Sequence, residues 1–215
     1  VALSPPTEIG PWRALWGRCL QVADEVRCFS DSTRRLLLRA YPGLDPGRIS
    51  VIPHRVDYLP ARLPRLDHGA PLVIGIIGTI SVQKGAMVVK DLLGRIDRDH
   101  PEIRIVVIGV LDIALKSDRL RVTGNYRHED LVDLIEANGI NMFFFPSICP
   151  ETFSYVTEEM ILLGLPVVAF DLGAPGERLK RYGKSRLCNE VSARSALATL
   201  IDFHGELAAK EVSVA

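Results

Sequence analysis

The sequence lacks the features of several protein classes. None of its apolar runs approaches the roughly 20 residues that a membrane-spanning helix requires, and its first residues do not resemble a signal peptide. Lysine plus arginine and aspartate plus glutamate each number 26, so no overall charge attracts nucleic acid or an anionic membrane. These absences predict a soluble, cytoplasmic protein without a nucleic-acid partner or a transmembrane segment, in which any anion site is local.

Cysteine is scarce and widely spaced. Cys19, Cys28, Cys149 and Cys188 show no Cys-x-x-Cys spacing, and three of them lie beside or within apolar runs. In a cytosolic protein this pattern favours reduced structural thiols over a disulfide framework or a metal site. We therefore expect no metal centre.

What the chain does contain is an ordinary globular balance, with 47% apolar and 24% charged residues. Its length of 215 residues exceeds the common size of one domain, which predicts a domain and a fragment of another. It also begins with Val1 rather than methionine, within polar, proline-rich sequence. We therefore expect it to be part of a longer protein.

The chain before residue 72 predicts an incomplete domain and a linker. A short amphipathic helix, a strand over 22–29, a helix over 33–41 and a strand in RISVIP are expected to form a β-α-β unit within residues 1–56. Residues 57–71 contain three prolines and no periodic pattern, which indicates a linker. Residues 72–215 form the main predicted domain.

From Leu72 onward, apolar strands alternate with amphipathic helices. The strand segments are LVIGIIG (72–78), IRIVVIG (103–109), LRVTG (120–124), MFFFP (142–146) and LPVVAF (165–170). Continuous apolar strands are typical of parallel sheets that are buried on both faces. The predicted fold is therefore α/β, a doubly wound Rossmann-like parallel sheet. Ligands of such sheets bind beyond the carboxyl ends of the strands.

A lysine follows the first of these strands. The segment Gly78-Thr79-Ile80-Ser81-Val82-Gln83-Lys84-Gly85 runs from the strand end to a predicted helix start. A lysine there, together with the free backbone N–H groups of the helix, suits a phosphate. The loop matches neither GxxxxGK[ST] nor GxGxxG.

Two carboxylates, Glu151 and Glu159, lie eight positions apart at the start of the helix predicted to begin near Phe153. Carboxylates accept hydrogen bonds from vicinal diols, so a ribose or a hexose is one possible partner. The alternative is that Glu158 and Glu159 form a solvated helix face while Glu151 only caps. The turn Thr152-Phe153-Ser154-Tyr155 has the same ambiguity, because its amides could bind a diphosphate or its hydroxyls could be plain N-caps.

The segment from Pro146 to Glu177, with its E-x7-E spacing, resembles the donor-binding motif of retaining GT-B glycosyltransferases of family 4, the glycosyl transferases group 1. GTISVQKG is similar to the phosphate loop of that family. VADEVRCFSDSTRRLL and RISVIPHRVD resemble the end of its N-terminal domain and its hinge. The resemblance extends from Val22 to about Leu200 and identifies the C-terminal, donor-binding domain.

The resemblance implies a role for each matching residue. Glu159 would bind the ribose hydroxyls, Glu151 would approach the donor sugar as a catalytic residue, and Lys84 would bind the diphosphate and assist catalysis. The remaining donor-binding positions are Gly78 and Thr79 of the phosphate loop, the amides of Phe153, Ser154 and Tyr155, and Asn125 and Tyr126 beside the base. No metal is implied.

The sequence departs from the family pattern at three places. Thr79 stands where the family usually has an arginine, which removes a bidentate phosphate contact. Arg55 and Arg127 are candidates to replace it. Thr152 and Ser154 stand in a turn that is usually glycine-rich, and His54-Arg55 stand where Asn-Gly is common.

The implied function is transfer of a sugar from a UDP- or GDP-sugar to an acceptor hydroxyl with retention, without a required cofactor. The acceptor, a glycan or lipid, would bind to an N-terminal domain largely outside this sequence, and the resemblance suggests cell-surface polysaccharide biosynthesis. Two alternatives remain open: a catalytically inactive nucleotide- or partner-binding module, and a GT-B sugar-nucleotide epimerase.

Overall fold

The computed structural model describes residues 8–212, which divide between Arg55 and Val56 into two units. In the first unit, Ser30 begins the second helix because its hydroxyl accepts a hydrogen bond from the Thr33 amide at 3.1 Å. The two short strands pair in parallel around a small core of Cys28, Leu44 and Ile49. The elements are α1 (Ile9–Val22), β1 (Val26–Cys28), α2 (Asp31–Ala40) and β2 (Ile49–Val51).

The second unit is a doubly wound α/β domain, and the predicted fold class is confirmed. Its strands are β3 (Val73–Ile80), β4 (Arg104–Leu111), β5 (Leu120–Val122), β6 (Met142–Phe145), β7 (Val167–Phe170) and β8 (Ser185–Cys188). They form one parallel sheet in the order β5-β4-β3-β6-β7-β8. Its helices are α3 (Ala86–Asp99), α4 (Leu131–Ala137), α5 (Tyr155–Leu162), α6 (Gly173–Leu179) and α7 (Ala193–Val212).

Strand β8 is absent from the sequence prediction. Its four residues, SRLC, contain no β-branched side chain and include an arginine, so they carry little of the signal that identifies a buried strand. β8 is an edge strand paired with β7 alone. Because β8 lies at the edge of the sheet and pairs on one side only, a short and partly polar sequence can form this strand.

Each central strand sends alternate side chains to opposite faces of the sheet. In β3, Ile74 and Ile76 pack with α3 and α7, whereas Val73 and Ile77 pack with α4, α5 and α6. Gly75 leaves room for a neighbour, since a Cβ there would lie 2.7 Å from the Phe143 ring. Both faces of the sheet are therefore covered, which explains the uninterrupted apolar sequence of the strands.

The strand order contains a switch point between β3 and β6. From β3 the chain proceeds to β4 and β5 on one side, and it then returns to form β6 on the other side of β3. The helices that follow β3 and β6 consequently diverge to opposite faces and leave a crevice at the carboxyl ends of these two strands. Ligands of open α/β sheets bind at such a crevice.

Residues 57–71 belong to the second unit. Leu59 and Leu66 pack against the cluster of apolar side chains that includes α4, and Arg62 forms ion pairs with Asp133 and Glu136. The side chain of Asn141 accepts a hydrogen bond from the Val73 amide at 2.9 Å and donates one to the Asp67 carbonyl at 2.8 Å. The segment is therefore bound to the domain along its length.

No helix within residues 8–212 combines the length and the apolar character that a membrane span would need.

Candidate functional site

Helix α5 begins at Tyr155, two residues after its predicted start, because Ser154 is its N-cap. The Ser154 hydroxyl accepts a hydrogen bond from the Thr157 amide at 3.2 Å. The hydroxyl therefore has the plain capping role that was one of the two interpretations of this turn. Phe153 remains in the preceding loop, where its ring meets that of Tyr155 edge-on at 5.1 Å.

Glu159 is the most unusual residue of this helix, because its carboxylate is only 1% exposed. Its Oε1 atom accepts a hydrogen bond from the Tyr58 hydroxyl at 2.6 Å and lies 3.3 Å from Nδ1 of His128. Its Oε2 atom is buried and has no hydrogen-bond partner among the described residues. A buried acceptor without a donor costs free energy, so this atom is a candidate contact for a ligand.

Glu158, the neighbour of Glu159, has a structural role. It is 9% exposed and forms a two-pronged ion pair with Arg178 of α6, in which Nη2 donates to Oε2 at 2.8 Å and Nε donates to Oε1. The hydrogen bond to Glu158 raises the pKa of Arg178. The alternative of a solvated acidic face is therefore wrong, since both acids are buried.

Three rings surround the carboxylate of Glu159. The ring centroid of His128 lies 4.5 Å from that of Tyr58 and 5.8 Å from that of Tyr126. Burial, and then the charge of Glu159, raise the pKa of Tyr126 to about 12; burial and the hydrogen bond to Glu159 also raise the pKa of Tyr58. Both phenols consequently stay protonated at neutral pH and can donate hydrogen bonds.

Of these rings, only Tyr126 was identified from the sequence. Tyr58 lies in the segment interpreted as a linker, and it is 101 positions from its partner Glu159. Residue spacing gives no sign of such a contact. His128 is two residues from Tyr126, and its proximity to a predicted base-binding turn was the one available signal.

The second predicted acid, Glu151, is fixed by its backbone. Its carbonyl accepts a hydrogen bond from the Ala174 amide at the start of α6, at 2.9 Å. Gly173 permits this approach, because its φ is +56° and a Cβ there would lie 2.7 Å from the Glu151 carbonyl oxygen. The side chain is half-buried, and its Oε1 atom has no hydrogen-bond partner in the described part of the chain.

The predicted phosphate loop is shorter than expected, because β3 continues through Gly78 and Thr79 to Ile80. Gly78 is paired with Gly109 of β4, and a Cβ at Gly109 would lie 2.1 Å from the Gly78 carbonyl oxygen. Thr79 is exposed, as is Lys84.

Gly85, immediately after Lys84, is the N-cap of α3 and has a φ of +89°. A Cβ at Gly85 would lie 2.0 Å from the Pro146 carbonyl oxygen, just beyond the end of β6. The backbone beside Lys84 therefore contacts the chain leaving β6, across the switch point. Among the described residues, Lys84 forms no ion pair with Glu151 or Glu159.

The predicted residues lie at or beyond the carboxyl ends of the strands, and contacts among the described residues join some of them. Glu159 and Tyr126 are close to each other, and Gly78 approaches the same helix through Val156, whose Cγ2 atom would lie 3.4 Å from a Cβ at Gly78. Asn125 is exposed and, with Tyr126, lines a pocket of about 370 Å³ between the β5 exit and α4.

No group of three or more His, Cys, Asp or Glu side chains in the described region is arranged to hold a metal ion.

Comparison with known proteins gives consistent matches. The family model for glycosyl transferases group 1 matches residues 71–203. In an alignment of 173 residues, the chain is 28% identical to the phosphatidylinositol N-acetylglucosaminyltransferase gpi3 subunit of Schizosaccharomyces pombe. The match covers 74% of this chain and 36% of that protein.

Solved structures show the same fold at low identity. Anabaena HepE in complex with UDP and glucose has a TM-score of 0.65 at 17% identity, over 92% of this chain and 62% of that chain. A glycosyltransferase from Rickettsia africae has a TM-score of 0.67 at 17% identity, over 96% and 59%. The chain therefore spans about a third of the curated relative and about 60% of these structures.

Proposed function

Because the chain belongs to the family of glycosyl transferases group 1, we propose that its second unit binds a nucleoside-diphosphate sugar. In the intact protein, the sugar is transferred to an acceptor hydroxyl. The observation that carries this proposal is the buried carboxylate of Glu159, with its unpartnered Oε2 atom, beside the switch point of a parallel sheet. Such an acid at such an edge is the arrangement that binds the ribose of a nucleotide.

Glu159 accepts hydrogen bonds from the ribose hydroxyls. The Oε2 atom has no hydrogen-bond donor among the described residues and can accept one from a ribose hydroxyl. The Oε1 atom accepts a hydrogen bond from the Tyr58 hydroxyl, which a second ribose hydroxyl could replace. Tyr126 and Asn125 flank the base. The half-exposed ring of His128 borders the same space.

Lys84 and the amides of Phe153, Ser154 and Tyr155 bind the diphosphate at the crevice, with Gly78 and Thr79 beside it. A lysine ammonium and a helix start are groups that stabilise the charge developing on a leaving diphosphate. Glu151 approaches the transferred sugar through its unpartnered Oε1 atom. Transfer proceeds with retention of anomeric configuration and does not require a metal.

UDP-sugars are the first donors to test, and GDP-sugars the second. HepE forms complexes with UDP and with UDP-glucose, and the curated relative is named for N-acetylglucosamine transfer. The name of that relative also favours a lipid over a glycan acceptor. We place the reaction in the cytoplasm, in the synthesis of cell-surface polysaccharides or glycolipids.

Calorimetry on this chain tests donor binding, with UDP, GDP, UDP-glucose and UDP-N-acetylglucosamine as probes. Glu159→Gln and Lys84→Met should each weaken binding roughly 10- to 100-fold, since each removes a charge-assisted contact of about 1.5–3 kcal/mol. Glu190→Gln and Lys90→Met are matched controls, because both residues are exposed and Lys90 lies on α3, the helix that follows Lys84.

Failure of the folded chain to bind any of these probes would overturn the proposal. On the intact protein, NMR of the product made with and without EDTA tests retention and metal independence. Conversion of the donor without acceptor would instead indicate an epimerase.

A further inference from the structure

A second pocket lies at the opposite edge of the sheet. It has a volume of about 520 Å³ and is bounded by the amino-terminal ends of β4 and β5 and by the carboxyl end of α4. Pockets that hold small molecules have volumes of about 300–1,000 Å³. Since the strands are parallel, this pocket is separated from the Glu159 edge by the length of the sheet.

Three arginines line this pocket: Arg104, Arg119 and Arg121. Alternation along the strands explains why they share one face. Ile105 and Leu120, their neighbours in sequence, pack on the α3 and α7 side of the sheet, so the arginines on either side of them lie on the α4 side.

The strand pairing brings the backbones of these arginines close together. Ile105 is paired with Leu120 and its amide donates to the Arg119 carbonyl at 2.8 Å, so Arg104 lies opposite Arg119, while Arg121 lies opposite Val106. Like charges on neighbouring strands repel and destabilise the pairing. A ligand with negative charge would remove that repulsion.

Within the part of the chain that the structure describes, no carboxylate forms an ion pair with any of the three guanidinium groups. Glu136 lines the pocket, but its Oε1 atom already accepts hydrogen bonds from the Arg62 side chain and the Arg65 amide. The other acid of the lining, Asp118, is exposed. The pocket therefore has an excess of positive charge.

Asn138 supplies an independent indication of a ligand. It lines the same pocket and is only 8% exposed, and its Nδ2 atom donates to the Leu134 carbonyl at 2.7 Å. Its Oδ1 atom is buried and has no donor among residues 8–212. A hydroxyl group on a ligand would satisfy it.

We propose that this pocket binds a phosphate monoester that carries a hydroxyl group, with the phosphate on the arginines and the hydroxyl on Asn138. Guanidinium groups fit phosphate oxygens in a bidentate manner. The ligand is either a soluble polyol phosphate or the equivalent head group of a lipid, since both present this chemistry. The site is separate from the nucleotide edge and does not depend on the function proposed above.

A structural explanation also exists, because charged residues on an edge strand such as β5 prevent pairing with other chains. That role requires no ligand, and it predicts no difference between phosphate esters. Binding measurements therefore separate the two explanations.

Glycerol 3-phosphate is the probe for calorimetry on this chain, with methyl phosphate and glycerol for comparison. Glycerol 3-phosphate should bind more tightly than methyl phosphate, which has no hydroxyl, and glycerol should not bind. Arg104→Gln and Arg121→Gln should each weaken binding roughly tenfold or more. Arg98→Gln, an exposed arginine on α3, is the control with the same loss of charge.

The result that overturns the proposal is no binding of glycerol 3-phosphate at millimolar concentration, or an equal loss in Arg98→Gln. An equal loss of UDP affinity in the two pocket variants would also overturn it, because the probe would then occupy the nucleotide edge. Flotation with vesicles of phosphatidylcholine, with and without phosphatidic acid, distinguishes the sources. Capture by phosphatidic acid that Arg121→Gln abolishes identifies a lipid head group, whereas its absence identifies a soluble ester.

Discussion

Gly85→Ala tests the contact that joins the two sides of the switch point. Gly85 has a φ of +89°, and the added Cβ would lie 2.0 Å from the Pro146 carbonyl oxygen. The left-handed backbone alone costs about 1–2 kcal/mol for alanine. The Cβ also falls more than 1 Å inside ordinary contact distance, so the start of α3 and the end of β6 must separate.

A matched control isolates the second effect. Gly139 has a φ of +63°, and a Cβ there meets no atom within 4 Å. Gly139→Ala should therefore cost only the free energy of the left-handed backbone, whereas Gly85→Ala should cost about 1–3 kcal/mol more, the range of overpacked sites. Urea unfolding followed by circular dichroism measures both differences.

The nucleotide affinity gives a second measurement of the same change. Because Gly85 follows Lys84 directly, movement of α3 displaces the proposed phosphate contact, and UDP binding should weaken in Gly85→Ala but not in Gly139→Ala. Equal losses of stability in the two variants would refute the assigned contact between α3 and β6.

Three further predictions follow from buried groups. Arg178→Met leaves the nearly buried Glu158 without its partner and should lower the free energy of unfolding by about 2–4 kcal/mol. This loss is smaller than for a fully buried pair because Arg178 is 41% exposed. The double variant with Glu158→Gln should regain part of the lost stability. Burial, and then the neighbouring His68, lower the pKa of His204 in the folded state. The unfolded state therefore binds more protons, so stability is lost as the pH falls below about 6.5, and His204→Gln should reduce that loss in urea titrations at pH 7 and 5. Thiol titration of the native chain should modify the exposed Cys19 and Cys149, whereas Cys28 and Cys188, whose pKa burial raises (for Cys188 to about 11), should react only after unfolding.

The fold was largely predictable, because continuous apolar strands leave few alternatives. From Ile105 onward, the segment IRIVVIG is buried on both faces within β4, with Ile105 and Val106 facing opposite helix layers. Such a segment is typical of a parallel sheet covered on both sides. β8 escaped prediction since its side chains carry neither an apolar run nor β-branching.

The candidate site was predictable only where its members are close in sequence. Glu151 and Glu159 share one loop and helix, and their spacing identified them. Tyr58 is brought to Glu159, and Arg178 to Glu158, by tertiary packing from 101 and 20 positions away, and no local pattern records such contacts. The roles of Lys84 and of the turn amides stay predictions until ligand binding is measured.

The packing of residues 57–71 bears on how this protein should be divided for experiments. The family match begins at residue 71, and a truncation there would remove the phenol that caps Glu159 and uncover the apolar surface beneath Leu59 and Leu66. A chimaera that exchanges this domain between relatives should therefore be joined between Arg55 and Val56. A domain that is transplanted from this junction onward retains the hydrogen bond from Tyr58 to Glu159.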